Sequence, residues 1–114
     1  MPIAERFGID PVMTLENIMY ARAFSHEQQD ALITAIAGRM VEDQFSLLII
    51  DSFTSLFRVE FVGREELAPR QQAIASMMNK LNKLSTEFNI AILITKYGDY
   101  LHVPPPFPFT LNRD

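Results

Sequence analysis

The stretch Leu47-Leu48-Ile49-Ile50-Asp51 decides the fold class, because four consecutive apolar residues end at a carboxylate. A strand with one face in water would alternate apolar and polar residues, and this run does not alternate. The run therefore predicts a strand covered on both faces, as in a parallel sheet between two layers of helices. A second run of this kind, Ile90-Ala91-Ile92-Leu93-Ile94-Thr95, follows later in the chain.

A helix is predicted between the two strands, from about Pro69 to about Phe88. Proline suits the first turn of a helix, where its missing N–H costs nothing. Apolar residues recur at helical spacing and would form the inner face of this helix: Ile74, Met77, Met78, Leu81, Leu84 and Phe88. Strand, helix and strand in this order predict a right-handed βαβ crossover and an α/β fold.

Two further elements are predicted upstream. The short apolar run Ile18-Met19-Tyr20-Ala21 predicts a strand. The Ser-x-x-Gln pattern of Ser25-His26-Glu27-Gln28 starts a helix, because the Ser hydroxyl and the Gln side chain can both satisfy free backbone N–H groups. The expected order is β-α-β-α-β. Native sheets average about 5–6 strands, so three strands suggest a fragment of a larger α/β domain.

The composition excludes several classes of protein. The 114 residues carry a formal net charge of −4, which argues against coating nucleic acid by bulk charge but allows a local basic site. With no Cys, the chain has no disulfides, cysteine-ligated zinc or thiol catalysis.

The segment Met1-Pro2-Ile3-Ala4-Glu5-Arg6 lacks the layout of a signal peptide. No apolar run approaches the roughly 20 residues that span a bilayer, so an intracellular protein with no membrane partner is expected.

Asp51 is the most informative candidate site residue. Ligands of open α/β sheets bind just beyond the carboxyl ends of the strands, and a carboxylate there can hold a hydrated Mg²⁺ beside nucleotide phosphates. The alternative is that Asp51 or Ser52 only caps the short helix that follows. The sequence contains no Gly-x-x-x-x-Gly-Lys-Ser/Thr segment, so it offers no phosphate cradle that would decide between the two.

Residues 58–70, which we call the arginine segment, are predicted to form a long loop that can include extended structure. The segment contains three Arg and three Glu residues and has no net charge. Arginines that alternate with apolar residues near a glycine suit phosphate contacts together with a wedge against bases. The alternative is a solvated, salt-bridged loop. Lys80 and Lys83, on the helix that follows, are predicted to form a solvated face.

Several short segments stand in a fixed order along residues 2–95. They are Ile3-Ala4-Glu5-Arg6-Phe7, Asn17-Ile18-Met19-Tyr20-Ala21-Arg22-Ala23-Phe24, Leu48-Ile49-Ile50-Asp51-Ser52, Leu56-Phe57-Arg58-Val59-Glu60-Phe61, Gly63-Arg64, Glu66-Leu67-Ala68 and Arg70-Gln71-Gln72. In this order they resemble the eukaryotic RecA-like DNA strand-exchange recombinases. The sequence of the arginine segment and its neighbours is most similar to the meiosis-specific branch of that family.

The resemblance implies a domain division and three binding sites: one for ATP with Mg²⁺, one for DNA and one for protein. Residues 1–95 would be a partial RecA-like ATPase core, and residues 96–114 a divergent proline-rich tail. Asp51 would coordinate the Mg²⁺ of ATP at the end of the Walker B strand. The arginine segment would be the first DNA-binding loop, in which Arg64 and Arg70 contact single-strand phosphates and Arg58 supports them.

The third implied site binds protein. Tyr20, Ala21 and Leu32 fall where the family receives a Phe-x-x-Ala segment from a neighbouring protomer or a mediator protein. Family members assemble as filaments on single- and double-stranded DNA and exchange strands in an ATP-dependent reaction during homologous recombination and DNA repair. A nuclear, meiotic protein is therefore expected.

The sequence departs from the family at several points. The phosphate-binding loop and the catalytic Glu of this DNA-dependent ATPase family lie upstream of the matching segment, so the expected fold is a P-loop ATPase core that lacks its P-loop strand. After Thr95 the family continues with Asn-Gln and a second DNA-binding loop, where this chain has Lys96-Tyr97 and prolines. Glu65 replaces a glycine. These departures predict a chain that is inactive by itself, and the alternative function is a non-catalytic module that binds a full-length recombinase protomer or a mediator.

Overall fold

The computed structural model of the protein describes residues 2–96. Contacts within the chain define two compact units, Met1–Asp43 and Gln44–Asp114. The described part of the first unit is helical, and that of the second combines helices with a small parallel sheet, so the fold is α/β. The predicted tail lies outside the described residues except for Lys96. Within the described part of the chain, every helix is too short or too polar to cross a membrane.

The first unit contains three helices: α1 (Pro2–Arg6), α2 (Pro11–Glu16) and α3 (His26–Glu42). The predicted start of α3 is confirmed, because the Ser25 hydroxyl accepts a hydrogen bond from the Gln28 N–H at 3.1 Å. The Gln28 side chain reaches back and accepts from the Phe24 N–H at 2.9 Å. These two bonds satisfy free donors on both sides of the helix start. Ile33 and Met40 are buried along α3.

The strand predicted over Ile18-Met19-Tyr20-Ala21 is wrong. These residues have no regular secondary structure, and all four are exposed. A strand needs a partner for its backbone N–H and C=O groups, and the sheet found in residues 2–96 contains two strands from the second unit. The described order of elements therefore lacks the first strand of the expected β-α-β-α-β order.

The second unit contains the predicted βαβ arrangement. Its elements are β1 (Leu47–Ile50), α4 (Ser55–Glu60), a 3₁₀ helix (Arg64–Glu66), α5 (Leu67–Phe88) and β2 (Ala91–Ile94). The two strands pair in parallel, with Leu47 opposite Ala91 and Ile50 opposite Ile94. The α5 helix begins two residues before the predicted Pro69 and ends, as predicted, at Phe88. Asn89 follows in a left-handed conformation with φ of 51°, which asparagine tolerates and which stops the helix.

The buried residues of the second unit come mainly from the turn after β1, from α4 and from α5. Phe53 and Phe57 are almost fully buried, with ring centroids 5.9 Å apart in a tilted pair. The inner face of α5 contributes the buried residues Ile74, Met77, Leu81 and Leu84. These four belong to the stripe of six predicted from helical spacing, and the other two, Met78 and Phe88, are half-buried.

The apolar runs predict strands that are covered on both faces. This prediction is wrong for the described residues. Leu47, Ile49 and Leu93 are 52%, 55% and 53% exposed, while alternate residues of both strands are half-buried. A continuous apolar run indicates that both faces of a strand can be buried. It does not identify the segments that would bury them. In the described part of the chain, one face of this sheet is exposed.

Candidate functional site

Asp51 lies at the carboxyl end of β1 and is held there by Thr95. The Thr95 hydroxyl donates a hydrogen bond to Asp51 Oδ1 at 2.6 Å. Thr95 directly follows β2, and because the two strands are parallel, their carboxyl ends meet at the same edge of the sheet. Asp51 does not cap α4, since Thr54 is the N-cap residue of that helix and no side chain caps it. The capping alternative therefore does not describe this carboxylate.

The backbone of Thr95 joins the same strand ends. Its N–H donates to the Ile50 carbonyl at 3.0 Å, and its own carbonyl accepts from the Phe53 N–H at 2.8 Å. The peptide bond between Asp51 and Ser52 is cis. The Ser52 hydroxyl oxygen is buried and has no hydrogen-bond partner among residues 2–96. Three hydrogen bonds of one threonine thus fix the backbone around Asp51 and one of its two carboxylate oxygens.

The chemistry available at Asp51 is that of a single carboxylate. Residues 2–96 contain no cluster of three or more His, Asp or Glu side chains that could hold a metal ion. Asp51 is exposed, and its Oδ2 has no hydrogen bond within the described residues. One carboxylate suits Mg²⁺, which keeps several waters and commonly binds through one or two carboxylates together with substrate phosphates. The site fits the cation, and the 114 residues contain no phosphate-binding loop to accompany it.

The arginine segment is helical, so the predicted long loop is wrong. Arg58 lies in α4, Arg64 begins the 3₁₀ helix, and Arg70 is in the first turn of α5. Residues 61–63 are the part outside these helices. The fold follows from aromatic residues at helical spacing, since Phe57 packs on Phe53 and its ring also stacks on that of Phe61 at 6.4 Å.

The three arginines differ in exposure. Arg58 and Arg64 are exposed, whereas Arg70 is half-buried. The Nε atom of Arg70 is buried and has no hydrogen-bond partner within the described residues. Unpaired buried donors are rare in proteins. Further along α5, Lys83 is exposed and Lys80 is half-buried.

The three residues predicted to bind protein all belong to the first unit. Tyr20 and Ala21 are exposed in the irregular stretch before α3, and Tyr20 is 82% exposed. Leu32 is half-buried in α3. In the same stretch, the Arg22 guanidinium lies 5.2 Å from the centre of the Phe24 ring, within the range of a cation–π contact.

Two residues at these sites were not predicted from the sequence: Thr95 and Glu66. Thr95 follows the second apolar run just as Asp51 follows the first, so parallel pairing of the runs is the signal that could have found it. Glu66 accepts hydrogen bonds from the backbone of the turn before it. The signal for Glu66 was its position three residues after Gly63, which is the spacing at which a Glu side chain caps the start of a helix.

A parallel βαβ unit with a carboxylate at its strand ends defines an α/β protein of the kind that binds ligands at that edge. Comparison with known proteins narrows this class. The family model described as Rad51 matches residues 1–98. The chain belongs to the Rad51 family.

The curated relatives agree with this family. The chain is 52% identical over 95 residues to the meiotic recombination protein DMC1 homolog of Arabidopsis thaliana. It is 47% identical over 95 residues to the DMC1/LIM15 homolog of Homo sapiens. The match covers 83% and 82% of this chain, respectively, and 28% of each relative. The chain therefore spans a little over a quarter of the length of these relatives.

Proposed function

We propose that this chain is part of a RecA-like recombinase that acts in the nucleus on meiotic DNA, with Arg64 and Arg70 contacting the phosphates of single-stranded DNA. The observation that carries the proposal is the match of 95 residues to proteins named for meiotic recombination. The matched region contains the whole arginine segment and Asp51. Double-stranded DNA and strand exchange belong to the same proposal, because they are the activity of the family as a whole.

The geometry of the arginine segment supports the DNA contact. Arg58, Arg64 and Arg70 lie on three successive helices: α4, the 3₁₀ helix and α5. Guanidinium groups suit this task because they remain charged and present several donors to phosphate oxygens. Arg58 and Arg64 are exposed, so their guanidinium groups are accessible to a DNA strand.

Asp51 is proposed to hold the Mg²⁺ of ATP through water. When bound, the cation would neutralise charge on the nucleotide phosphates. The contribution of this chain is to fix the carboxylate, which Thr95 does through its hydroxyl group. The sequence supplies neither the backbone N–H groups of a phosphate-binding loop nor its lysine, so no ATP hydrolysis is assigned to these residues alone.

The test of this function is binding of the chain to a fluorescently labelled single-stranded oligonucleotide at low ionic strength, followed by anisotropy. Non-specific binding to nucleic acid has a dissociation constant of about 10⁻⁴ to 10⁻⁶ M at physiological salt. With a net charge of −4 and Glu65 beside Arg64, the dissociation constant extrapolated to physiological salt should be no tighter than about 10⁻⁴ M. The double variant Arg64→Ala/Arg70→Ala should lose the binding.

The matched control removes the same two positive charges elsewhere on the second unit. Lys80→Ala/Lys83→Ala changes the net charge as much as the double arginine variant does, but it leaves the arginine segment intact. This control should bind nearly as well as the wild-type chain. Binding that survives loss of both arginines would overturn the assignment of the arginine segment.

A second candidate function is supported by the exposed residues before α3. Ile18, Tyr20 and Phe24 are 58%, 82% and 70% exposed, so this stretch presents several apolar side chains to a partner. In this reading the chain is an interaction module that receives a Phe-x-x-Ala segment from a recombinase protomer or a mediator. A labelled peptide with that motif should bind, and Tyr20→Ala should weaken its binding. Phe7→Ala is the control, because Phe7 is a similarly exposed aromatic residue of the same unit.

A further inference from the structure

The turn between α4 and α5 is closed by the side chain of Glu66. Its Oε2 atom accepts hydrogen bonds from the Val62 N–H at 3.0 Å and the Gly63 N–H at 3.4 Å. The Glu66 N–H also donates to the Gly63 carbonyl at 3.1 Å. We propose that Glu66 is a positioning residue that holds the arginine segment in its DNA-binding conformation, an inference that rests on the proposed function.

The residues at the tip of the turn are not anchored in the core. Val62 is 79% exposed, and Gly63 is exposed as well, so neither residue is anchored by burial in the core. The nearest aromatic anchor is Phe61, whose ring stacks on Phe57. Between that anchor and the start of α5, the side chain of Glu66 holds the backbone N–H groups of Val62 and Gly63, and the Leu67 N–H donates to the Arg64 carbonyl. Arg64 lies inside this stretch.

The same hydrogen bonds limit how the turn can meet DNA. Two of its backbone N–H groups already donate to Glu66, so a phosphate cannot use them without displacing the carboxylate. The donors that remain for phosphate include the arginine side chains. Glu66 therefore has two opposing effects: its negative charge disfavours DNA, while its hydrogen bonds keep Arg64 in place.

Substitution of Glu66 by Gln or by Ala separates these effects. Both variants remove the same negative charge, but only Gln keeps an oxygen that can accept from the two N–H groups. In the anisotropy assay Glu66→Gln should bind single-stranded DNA at least as tightly as the wild-type chain. Glu66→Ala should bind about fivefold more weakly than Glu66→Gln, which is the size expected for losing a side-chain cap.

Glu65 is the matched control position. It is adjacent and exposed, and no hydrogen bond or ion pair of its side chain is found in the described residues. Glu65→Gln and Glu65→Ala should therefore bind DNA equally well, and both slightly more tightly than the wild-type chain. A difference between Gln and Ala that appears at position 66 and not at position 65 is the expected signature of positioning.

Amide hydrogen exchange gives a readout that does not depend on DNA. Exchange at Val62 and Gly63 should be faster in Glu66→Ala than in Glu66→Gln, while exchange at Leu81 in α5 stays unchanged and reports an intact fold. Equal DNA binding by the two Glu66 variants, or equal exchange at Val62 and Gly63, would overturn the inference. A wild-type chain whose binding does not depend on Arg64 and Arg70 would instead overturn the proposed function on which it rests.

Discussion

Replacing Thr95 by Val removes one hydroxyl group from the point where the two strands end, and it should loosen that point while leaving the sheet in place. Val has nearly the same shape as Thr and keeps the preference for strand conformation. The two backbone hydrogen bonds of Thr95, to Ile50 and from Phe53, do not involve the side chain. The change therefore isolates the bond from the hydroxyl to Asp51.

The expected magnitude follows from the geometry of that bond. At 2.6 Å it is a short hydrogen bond to a carboxylate, and bonds to charged groups lie at the strong end of the range. Asp51 and Thr95 are both exposed, so water replaces part of the lost interaction. A net cost of about 1 kcal/mol is expected, which corresponds to about a fivefold larger equilibrium constant for local opening.

Native-state amide hydrogen exchange is the suitable assay, because it reports local opening in a chain with two compact units. Exchange at the Phe53 N–H, which donates to the Thr95 carbonyl, should be about fivefold faster in Thr95→Val. Thr95→Ser keeps the hydroxyl and should retain most of the protection. Thr86→Val, an exposed site in α5, controls for the substitution itself. Unchanged exchange in Thr95→Val, or an equal loss in Thr95→Ser, would refute the role of the hydroxyl.

The remaining predictions concern activity, stability and association. The chain should release no phosphate from ATP with or without single-stranded DNA, and DNA-stimulated release that Asp51→Ala abolishes would contradict this. In urea unfolding, Phe57→Ala should lower the free energy of unfolding of its unit by about 3–5 kcal/mol, because it empties a fully buried site. Phe7→Ala, at an exposed site, should change stability by no more than about 0.5 kcal/mol. The exposed sheet face should make the chain self-associate in sedimentation experiments, and Ile49→Thr should reduce this; a wild-type chain that stays monomeric and melts sharply would count against it.

The βαβ unit could be predicted because its signals are local and agree with one another. Two continuous apolar runs and a helical stripe between them indicate the same arrangement. The missing strand at residues 18–21 shows the limit of such signals. Four apolar residues are compatible with a strand, but pairing depends on a second segment, which periodicity does not identify.

The sequence predicts a loop for the arginine segment because six of its residues are charged. Phe53, Phe57 and Phe61 recur every four residues through the same stretch, which is the spacing of one helix face. That aromatic stripe was the stronger signal. The position of Asp51 was predictable from the strand that it ends, whereas the bond to Thr95 joins residues 44 positions apart and required the pairing of the strands.

The most direct test of the central claim is the salt dependence of single-stranded DNA binding. Each phosphate contact contributes roughly −0.7 to the slope of log affinity against log salt concentration. Two or three contacts therefore predict a slope of about −1.4 to −2 for the wild-type chain. The slope should fall to between zero and about −0.7 in Arg64→Ala/Arg70→Ala and remain near the wild-type value in Lys80→Ala/Lys83→Ala. A slope that persists without the two arginines, or that falls only when the lysines are removed, would contradict the claim that the arginine segment binds DNA.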